Sequence, residues 1–559
     1  MPPPDLSARE TEDPRVPARV VPDGGRARRW VALTAILAFG VGVPFVLSLT
    51  THSISIPHND SWSYSKAAEI FARTGQIQLQ NWNRSALVGQ LVLLGPLGRW
   101  IWVQQTAVAV LGVVGLLLTF RILARRLAPG TALLGTALVA VLPGYGLIST
   151  SFMDAIPAFT AAVGCIAVAD VAIERQSPAL LAAALAIGFV GFTIREEVLA
   201  ALIAAVAAAL SVWRHRHVLT VVSMAAVLVA AMAAFEIWRT HLPDADRPVI
   251  RFYLHDALNG AARSYFTLAL FLLPAVLASG VLRRPSRLGV ALAVPAGVIG
   301  WATVSRFGSL TFLGNYLGSS GAYATADIGV RVLFPSAVMD IVLVAALVSG
   351  ILFPAVVVMR WRALDPMLAA LGILAFLGVV GECLAGELVY DRDLLVLVLP
   401  AAVLCLRAPA RRPEPWVSAV PLAGLAALSL LLCANALARD GAIWGTADRL
   451  VARGVPATGI DAGLDWVAYH SPTPVVRGQP ENPAELGFWD QLFPDFRSCF
   501  AITVSPLPGR RPVERVTYST YAVAGTSVLD VYRLGSCATT AGSARRGTAP
   551  ASGPPGLPG

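Results

Sequence analysis

The sequence predicts an all-α polytopic membrane protein of about thirteen transmembrane helices, followed by a small extracytoplasmic α/β domain. Three observations carry that expectation. The chain of 559 residues is 56% hydrophobic and only 14% charged, with a mean hydropathy of +0.66, far from the balance of a soluble domain. Its apolar residues gather in runs of roughly 18 or more, the length that crosses a hydrocarbon core of about 30 Å at about 1.5 Å per helical residue. Between the runs, arginines recur in short clusters that fall on one side when the chain is threaded back and forth.

In chain order, residues 1–28 hold Pro, Asp, Glu and Arg without an apolar core, and read as a disordered cytoplasmic tail and not a signal peptide. Apolar runs follow near 30–50, 101–120, 131–147, 156–171, 180–192, 198–213 and 218–238, then 265–282, 288–304, 333–359, 367–380, 394–406 and 417–436. Arg26, Arg28 and Arg29 precede the first run; Arg121, Arg125 and Arg126 follow the second; Arg175 follows the fourth; Arg214 and Arg216 follow the sixth. Arg283, Arg284 and Arg287, then Arg360 and Arg362, then Arg407, Arg411 and Arg412 continue the alternation. The N-terminus is therefore expected inside and, after an odd number of spans, the C-terminal domain outside a plasma (inner) membrane. The net charge of +9 is accounted for by these arginines, so nucleic acid is not an expected partner.

The transmembrane domain is expected over 29–436, with a long first outer loop at 51–100, and the α/β domain over 437–540. Within that domain 500–504, 513–524 and 527–534 have the β-branched and aromatic character of strands, while 458–470 looks partly helical. Residues 541–559, rich in Gly, Pro, Ala and Ser, are expected to be disordered. Of six cysteines, Cys165, Cys383, Cys405 and Cys433 lie in or beside spans as small apolar residues. Cys499 and Cys537 flank the expected strands in an oxidising compartment, which suits a disulfide.

The unusual polar residues lie at the outer ends of spans. In the first loop, Asp60 precedes a short amphipathic helix marked by Ala67, Ala68, Ile70 and Phe71, with Trp62, Tyr64 and Trp82 as aromatics of the membrane surface. An acid at the edge of low dielectric can accept a proton from a hydroxyl or hold a divalent cation, and Asp is also an ordinary helix N-cap. Asp154 opens the fourth run, where capping alone would explain it. Arg195, Glu196 and Glu197 cluster at the next outer turn. Arg247 and Arg251 with His255, Arg306 and Arg331 around a Gly and Tyr rich stretch, and Arg392 between Asp391 and Asp393 are outer cations that sidedness does not explain. The planar fork of Arg suits a phosphate oxygen, and pairing with a neighbouring carboxylate is the alternative.

Four pieces stand in order along the chain: HNDSWSYSKAAEIFARTG after the first run, SFMDAIPAF at the fourth, IREE at a later one, and YDRDLLVLVLP near the end. Together they resemble the GT-C superfamily of membrane glycosyltransferases, nearest the branch holding protein O-mannosyltransferases and the aminoarabinose transferase (glycosyltransferase family 39-like). The resemblance implies a sugar carried on a polyprenyl phosphate and moved, with inversion, to a lipid, polysaccharide or protein hydroxyl. It implies Asp60 as the catalytic carboxylate, supported by the acids Asp154, Glu196 and Glu197, with His58 and Tyr64 near the substrates. Arg392, with Arg247, Arg251 and Arg331, would face the donor phosphate. Many relatives carry Asp-Glu in the first loop, whereas Ser61 follows Asp60 here; a divalent cation is the one cofactor in question, with Asp60 its ligand if it is held.

The rival expectation is a non-enzymatic lipid or solute transporter, or a protein that only binds the donor. Transporters place broken helices and polar residues near the midplane and often carry internal repeats. No repeat stands out here, and Asp340 is the one carboxylate that falls inside a late apolar run.

Overall fold

In hydrocarbon every backbone N–H and C=O must be satisfied within its own segment, so apolar runs bounded by Gly, Pro and Arg become helices. The computed structural model describes residues 23–82, 85–213, 217–245, 252, 254–283, 287–308, 312–329, 331–407, 415–476, 486–520 and 525–537. The tail expected at 541–559, most of that at 1–28, and both Arg247 and Arg251 lie outside the described residues.

The first run forms α1 (Asp23–Leu37), one π-helical turn and α2 (Val43–Thr50). The long loop holds α3 (Ser61–Thr74) and α4 (Val88–Leu94); α5 (Ile101–Ala124), α6 (Pro129–Ala140), the single turn α7 (Tyr145–Ile148) and α8 (Ala155–Glu174) follow. Next come α9 (Pro178–Ile194), α10 (Leu199–Val212), α11 (Val218–Arg239), α12 (Leu254–Ala278) and α13 (Arg287–Phe307). The bundle closes with α14 (Ser336–Arg360), α15 (Pro366–Leu384), α16 (Leu395–Leu406) and α17 (Pro415–Ala452).

Every expected run is helical, but not every helix is long enough to span. Among the described residues nine helices have the length and apolarity to cross a membrane. The others, α6, α9, α10 and α16, hold 12, 17, 14 and 12 residues, short of the roughly 20 of a full crossing. For α6 the cause is local: Pro143 and Gly144, the latter at φ 97°, break the run before Tyr145. Conversely, α17 continues to Ala452, through the domain boundary expected at 436.

The two ends of the bundle differ in what they gather. Arg126, after α5, donates to Asp170 of α8 at 2.6 and 2.7 Å and to Asp365, the N-cap of α15, at 2.6 Å. Arg360 of α14 donates to the Cys405 carbonyl of α16 and the Ser279 carbonyl after α12, both at 2.7 Å. These ends are the ones the arginine clusters group together. The opposite end carries Asp60, Asp154, Arg195 and Arg392. Asp340 is exposed in the first turns of α14, close to an end and not at mid-helix.

The C-terminal part adds α18 (Leu464–His470), α19 (Phe488–Leu492) and a four-stranded sheet in the order β1-β2-β4-β3. Its strands are β1 (Ile460–Asp461), β2 (Phe500–Thr503), β3 (Glu514–Ser519) and β4 (Thr526–Arg533). β1 and β2 run parallel, and the other pairs antiparallel. Cys499 and Cys537 are joined by a disulfide across the ends of β2 and β4, with Cα atoms 5.2 Å apart.

Helix α3 does not turn Trp62 and Tyr64 outward as an interfacial helix would. Its apolar face turns onto protein: Trp62 is fully buried, with ring centroids 6.0 Å from Trp82 and 5.6 Å from Phe493. Tyr64, Ala67 and Ala68 are buried with it. The reason is a partner the sequence did not reveal, the C-terminal domain. Lys66 donates to the Ala468 and Ser471 carbonyls at 3.3 and 2.7 Å, and the Tyr469 hydroxyl donates to Glu69.

Candidate active site

Five segments converge at one end of the bundle: the start of α3, the start of α8, the turn between α9 and α10, the turn 391–394 before α16, and the loop 312–329. The turn 391–394 is a 3-10 helix, whose three residues per turn send consecutive side chains about 120° apart. Asp391 accepts the Tyr316 and Leu317 backbone N–H groups at 2.9 and 2.7 Å, anchoring the loop. Arg392 reaches Asp60, with Nη2 3.3 Å from Oδ2. Asp393 accepts from Nη2 of Arg195 at 2.8 Å and lies 3.8 Å from Nε of Arg392, so it stands between the two guanidinium groups.

Asp60 and Asp154 both occupy helix N-cap positions, yet neither side chain makes a capping bond. Asp60 instead takes Trp82 Nε1 on Oδ1 at 3.2 Å and Asn59 Nδ2 on Oδ2 at 3.3 Å, beside Arg392. Asp154 accepts the Tyr64 hydroxyl at 3.2 Å and faces Arg195 at 3.6 Å. The capping explanation therefore fails for both acids, and tertiary partners take its place. Arg195 completes the set through Glu197 at 2.8 Å.

The cluster is buried but incompletely paired. Asp154 Oδ1, Arg195 Nη1, and Nε and Nη1 of Arg392 are enclosed and have no hydrogen-bond partner. Buried polar atoms are normally satisfied, because an orphaned one forfeits its hydration without return. Asp154 Oδ1 and Arg195 Nη1 face each other at 3.6 Å as an ion pair, so it is the two Arg392 atoms that mark a place for a group the protein does not itself supply. They adjoin a cleft lined by Ala155, Ala158, Phe159, Leu395 and Val396 together with Glu197, Arg392 and Asp393. Burial, reinforced by Asp154, holds the Tyr64 phenol well above its usual range, so it remains a donor. Burial likewise raises Glu197, with Arg195 opposing and Asp393 and Glu382 adding to it. Asp391 is pushed up to about 7 by burial, against the pull of its two backbone donors.

Of the residues singled out from the sequence, Asp60, Tyr64, Asp154, Glu197 and Arg392 meet here. Glu196 is exposed beside the cluster and not within it. His58 is buried and turned away, with Nδ1 2.7 Å from Asp440 and Nε2 3.1 Å from the Ser53 carbonyl, so it does not face the cleft. Its position next to Asp60 in sequence misleads, because Asn59 between them takes a positive φ of 49° and reverses the chain. Arg331 lines a different cleft, and Arg306 binds exposed His255 at 2.6 Å. Arg195 was legible only as part of a charged turn, and Trp82 only as a surface aromatic. Tyr316, whose phenol neighbours Arg392, gave no signal beyond a Gly and Tyr rich stretch. Among the described residues the acids spaced for a metal ion are Glu197, Glu382 and Asp393, with ligand oxygens within 4.8 Å of one another; Asp60 is not among them. Arg195 already bonds to two of these three.

The fold and the cluster define a polytopic integral membrane protein with an acid and arginine site at one end of its helices. No family profile matches the chain, and no curated protein does. Among solved structures it is similar to ArnT from Cupriavidus metallidurans bound to undecaprenyl phosphate, at 13% identity and a TM-score of 0.34, over 89% of this chain and 98% of that one. It is also similar to the arabinosyltransferase EmbB from Mycobacterium smegmatis, at 14% identity and a TM-score of 0.32, over 80% of this chain and 45% of that one. Likeness at this level transfers no residue roles.

Proposed function

We propose that the protein is an inverting membrane glycosyltransferase that moves a sugar from a polyprenyl-phosphate donor to an acceptor hydroxyl at the outer face of the membrane. The observation that supports this most is the pairing of the Asp60 carboxylate with an Arg392 guanidinium that keeps Nε and Nη1 unsatisfied above an apolar cleft. A base, a phosphate-seeking fork and a small greasy pocket are what this transfer needs in one place.

In the step, the acceptor oxygen attacks the anomeric carbon while the bond from that carbon to the phosphate oxygen breaks. The phosphate leaves with both electrons of that bond, and the hydroxyl proton passes to Asp60. Trp82 and Asn59 hold the carboxylate in place. Arg392 can take the leaving phosphate through Nε and Nη1 without releasing Asp60, because only Nη2 is engaged there. Asp154, Glu197 and Arg195 act at one remove, through Tyr64 and Asp393. The arginine clusters support a reading in which the opposite end is cytoplasmic, with the site and the C-terminal domain outside.

The test is turnover of a panel of radiolabelled polyprenyl-phosphate sugars by purified protein, with and without divalent cation. A positioned proton acceptor contributes about 10²- to 10⁴-fold, so Asp60→Asn should lose about that much donor consumption while remaining folded. Full turnover by Asp60→Asn would remove the acid from the mechanism, and no donor consumed by wild type would remove the transferase.

A further inference from the structure

A second cleft lies where the bundle meets the C-terminal domain. Its walls come from the loop before α14 (Ser320, Asp327, Arg331), from α17 (Asn435, Arg439) and from the sheet (Tyr518 of β3). The loop is fixed on both sides. Asp391 holds its start, and the Val504 backbone N–H donates to the Ile328 carbonyl at 3.0 Å. Gly329 packs so closely on Ser505 that a Cβ there would sit 2.3 Å from its hydroxyl oxygen.

Of the two arginines in this cleft, only one is paired with acids among the described residues. Arg439 is committed, with Nε 3.0 Å from Asp327 and Nη2 3.3 Å from Asp440 and 3.1 Å from the Ala322 carbonyl. Its two carboxylates are in turn engaged, and Asp440 also receives His58 at 2.7 Å and the Tyr323 hydroxyl at 2.5 Å. Arg331 is different: its Nη1 is buried without a hydrogen-bond partner, and among the described residues no carboxylate pairs with it. A buried guanidinium N–H left unmade is costly, and the neighbouring Ser, Asn and Tyr groups add hydrogen-bond capacity around it. The lining mixes these polar groups with Ala324, Leu333 and Val504, and is more polar than that of the cleft beside Arg392. Tyr316 and Tyr323, with centroids 5.9 Å apart, stand between the two arginine systems: Tyr316 contacts Arg392, and Arg439 stacks over Tyr323 at 5.1 Å.

We propose that this seam is a second anion subsite, in which Arg331 holds a phosphate-type group carried by the acceptor. The assignment to the acceptor rests on the glycosyltransferase function proposed above, since the apolar cleft at Arg392 is the one that suits the donor. It moves Arg331 from the donor phosphate, where the sequence put it, to the other substrate.

The probe is inorganic phosphate, titrated calorimetrically into the full-length protein in detergent at constant ionic strength, with polyprenyl phosphate present to fill the cleft at Arg392. Wild type is expected to bind phosphate under these conditions. Arg331→Gln should bind at least about tenfold more weakly, the loss of one charge-assisted contact, and Arg331→Lys should recover part of it. Tyr518→Phe, which keeps the ring packed on the core and removes only the hydroxyl, should also weaken binding. Phosphate affinity equal in wild type and Arg331→Gln would overturn the subsite, and complete competition by polyprenyl phosphate would overturn its separation from the donor. A wild type that binds phosphate through Arg331 yet consumes no polyprenyl-phosphate sugar would overturn the acceptor assignment together with the proposed function. Donor consumption without Arg331-dependent binding would overturn the subsite alone.

Discussion

Arg195 occupies the place where a metal ion would sit, and removing it should create a cation site. Its Nη2 lies 2.8 Å from both Glu197 and Asp393, and its Nη1 faces Asp154 at 3.6 Å. Arg195→Ala would leave these acids, with Glu382 nearby, facing one another in a poorly hydrated space. Breaking a buried ion pair from one side typically costs about 3–5 kcal/mol, because the surviving charge is stranded. The variant can relieve that cost in two ways, by protonating Glu197, whose acid form burial already favours, or by binding a divalent cation on the carboxylate oxygens that lie within 4.8 Å. At a cation concentration of about 100 times the dissociation constant, the second route restores about 2.7 kcal/mol. Thermal unfolding in detergent, with and without Ca²⁺ or Mn²⁺, reads both effects. Arg195→Ala should melt well below wild type without the ion and recover in part with it, while wild type shows no such gain. An Arg195→Ala protein as stable as wild type, or equal stabilisation of both by the ion, would refute the idea that Arg195 stands in for a cation.

Two further predictions concern the frame around the site. A Cβ on Gly441 of α17 would lie 2.0 Å from the Thr51 carbonyl oxygen, so Gly441→Ala must push α17 off α2. It should cost about 1–3 kcal/mol, the usual range for overpacking, and a wild-type unfolding temperature would contradict the helix contact. In the C-terminal domain, Asp461 is fully buried, bonded to the Gly463 and Gly487 N–H groups at 3.3 Å each, and lifted to about 7 by burial and then by Asp490. A carboxyl raised above its unfolded value of 3.8 adds stability at low pH, and that stability is lost as pH climbs from about 4 through about 7. Asp461→Asn forfeits one acceptor but cannot ionise, so it should melt below wild type at pH 5 and above it at pH 8; parallel melting curves across that range would count against it.

The sequence disclosed which residues were out of place, but not which residues they were out of place for. Asp60, Asp154 and Arg392 stood out because charge at the end of an apolar run is expensive and needs a reason. Local chemistry offered capping for the two acids, which failed, and pairing with Asp391 or Asp393 for the arginine, which holds with Asp393 at 3.8 Å; the shorter contacts are with partners 90 and 332 residues away in sequence. Asp393 illustrates the limit: it sits beside Arg392 in the chain, yet its shorter contact is with Arg195. The helices themselves were legible because apolar length is a local property. Their exact count was not, because Gly144 shortens α6 through a backbone turn that hydropathy does not register. The inward face of α3 was hidden for a related reason, since an amphipathic helix looks the same whether it covers lipid or another domain.

That hidden contact bears on how the two clefts work together. Lys66 and Glu69 tie α3 to α18, and Asp60 begins the same helix, so Asp60 is positioned by the C-terminal domain as well as by the bundle. The loop 312–329 closes the circuit from the other side: Asp391 fixes its start beside Arg392, and Ile328 fixes its end on the sheet. A group bound at Arg331 would therefore bear on a segment that also carries Tyr316 to Arg392. On the proposed function, acceptor binding at the seam and donor binding at the bundle would share that loop, which gives the protein a physical means of holding a reactive donor until both substrates are present. If so, inorganic phosphate at the seam should alter the affinity for polyprenyl phosphate, and by linkage the reverse effect must be equal in size.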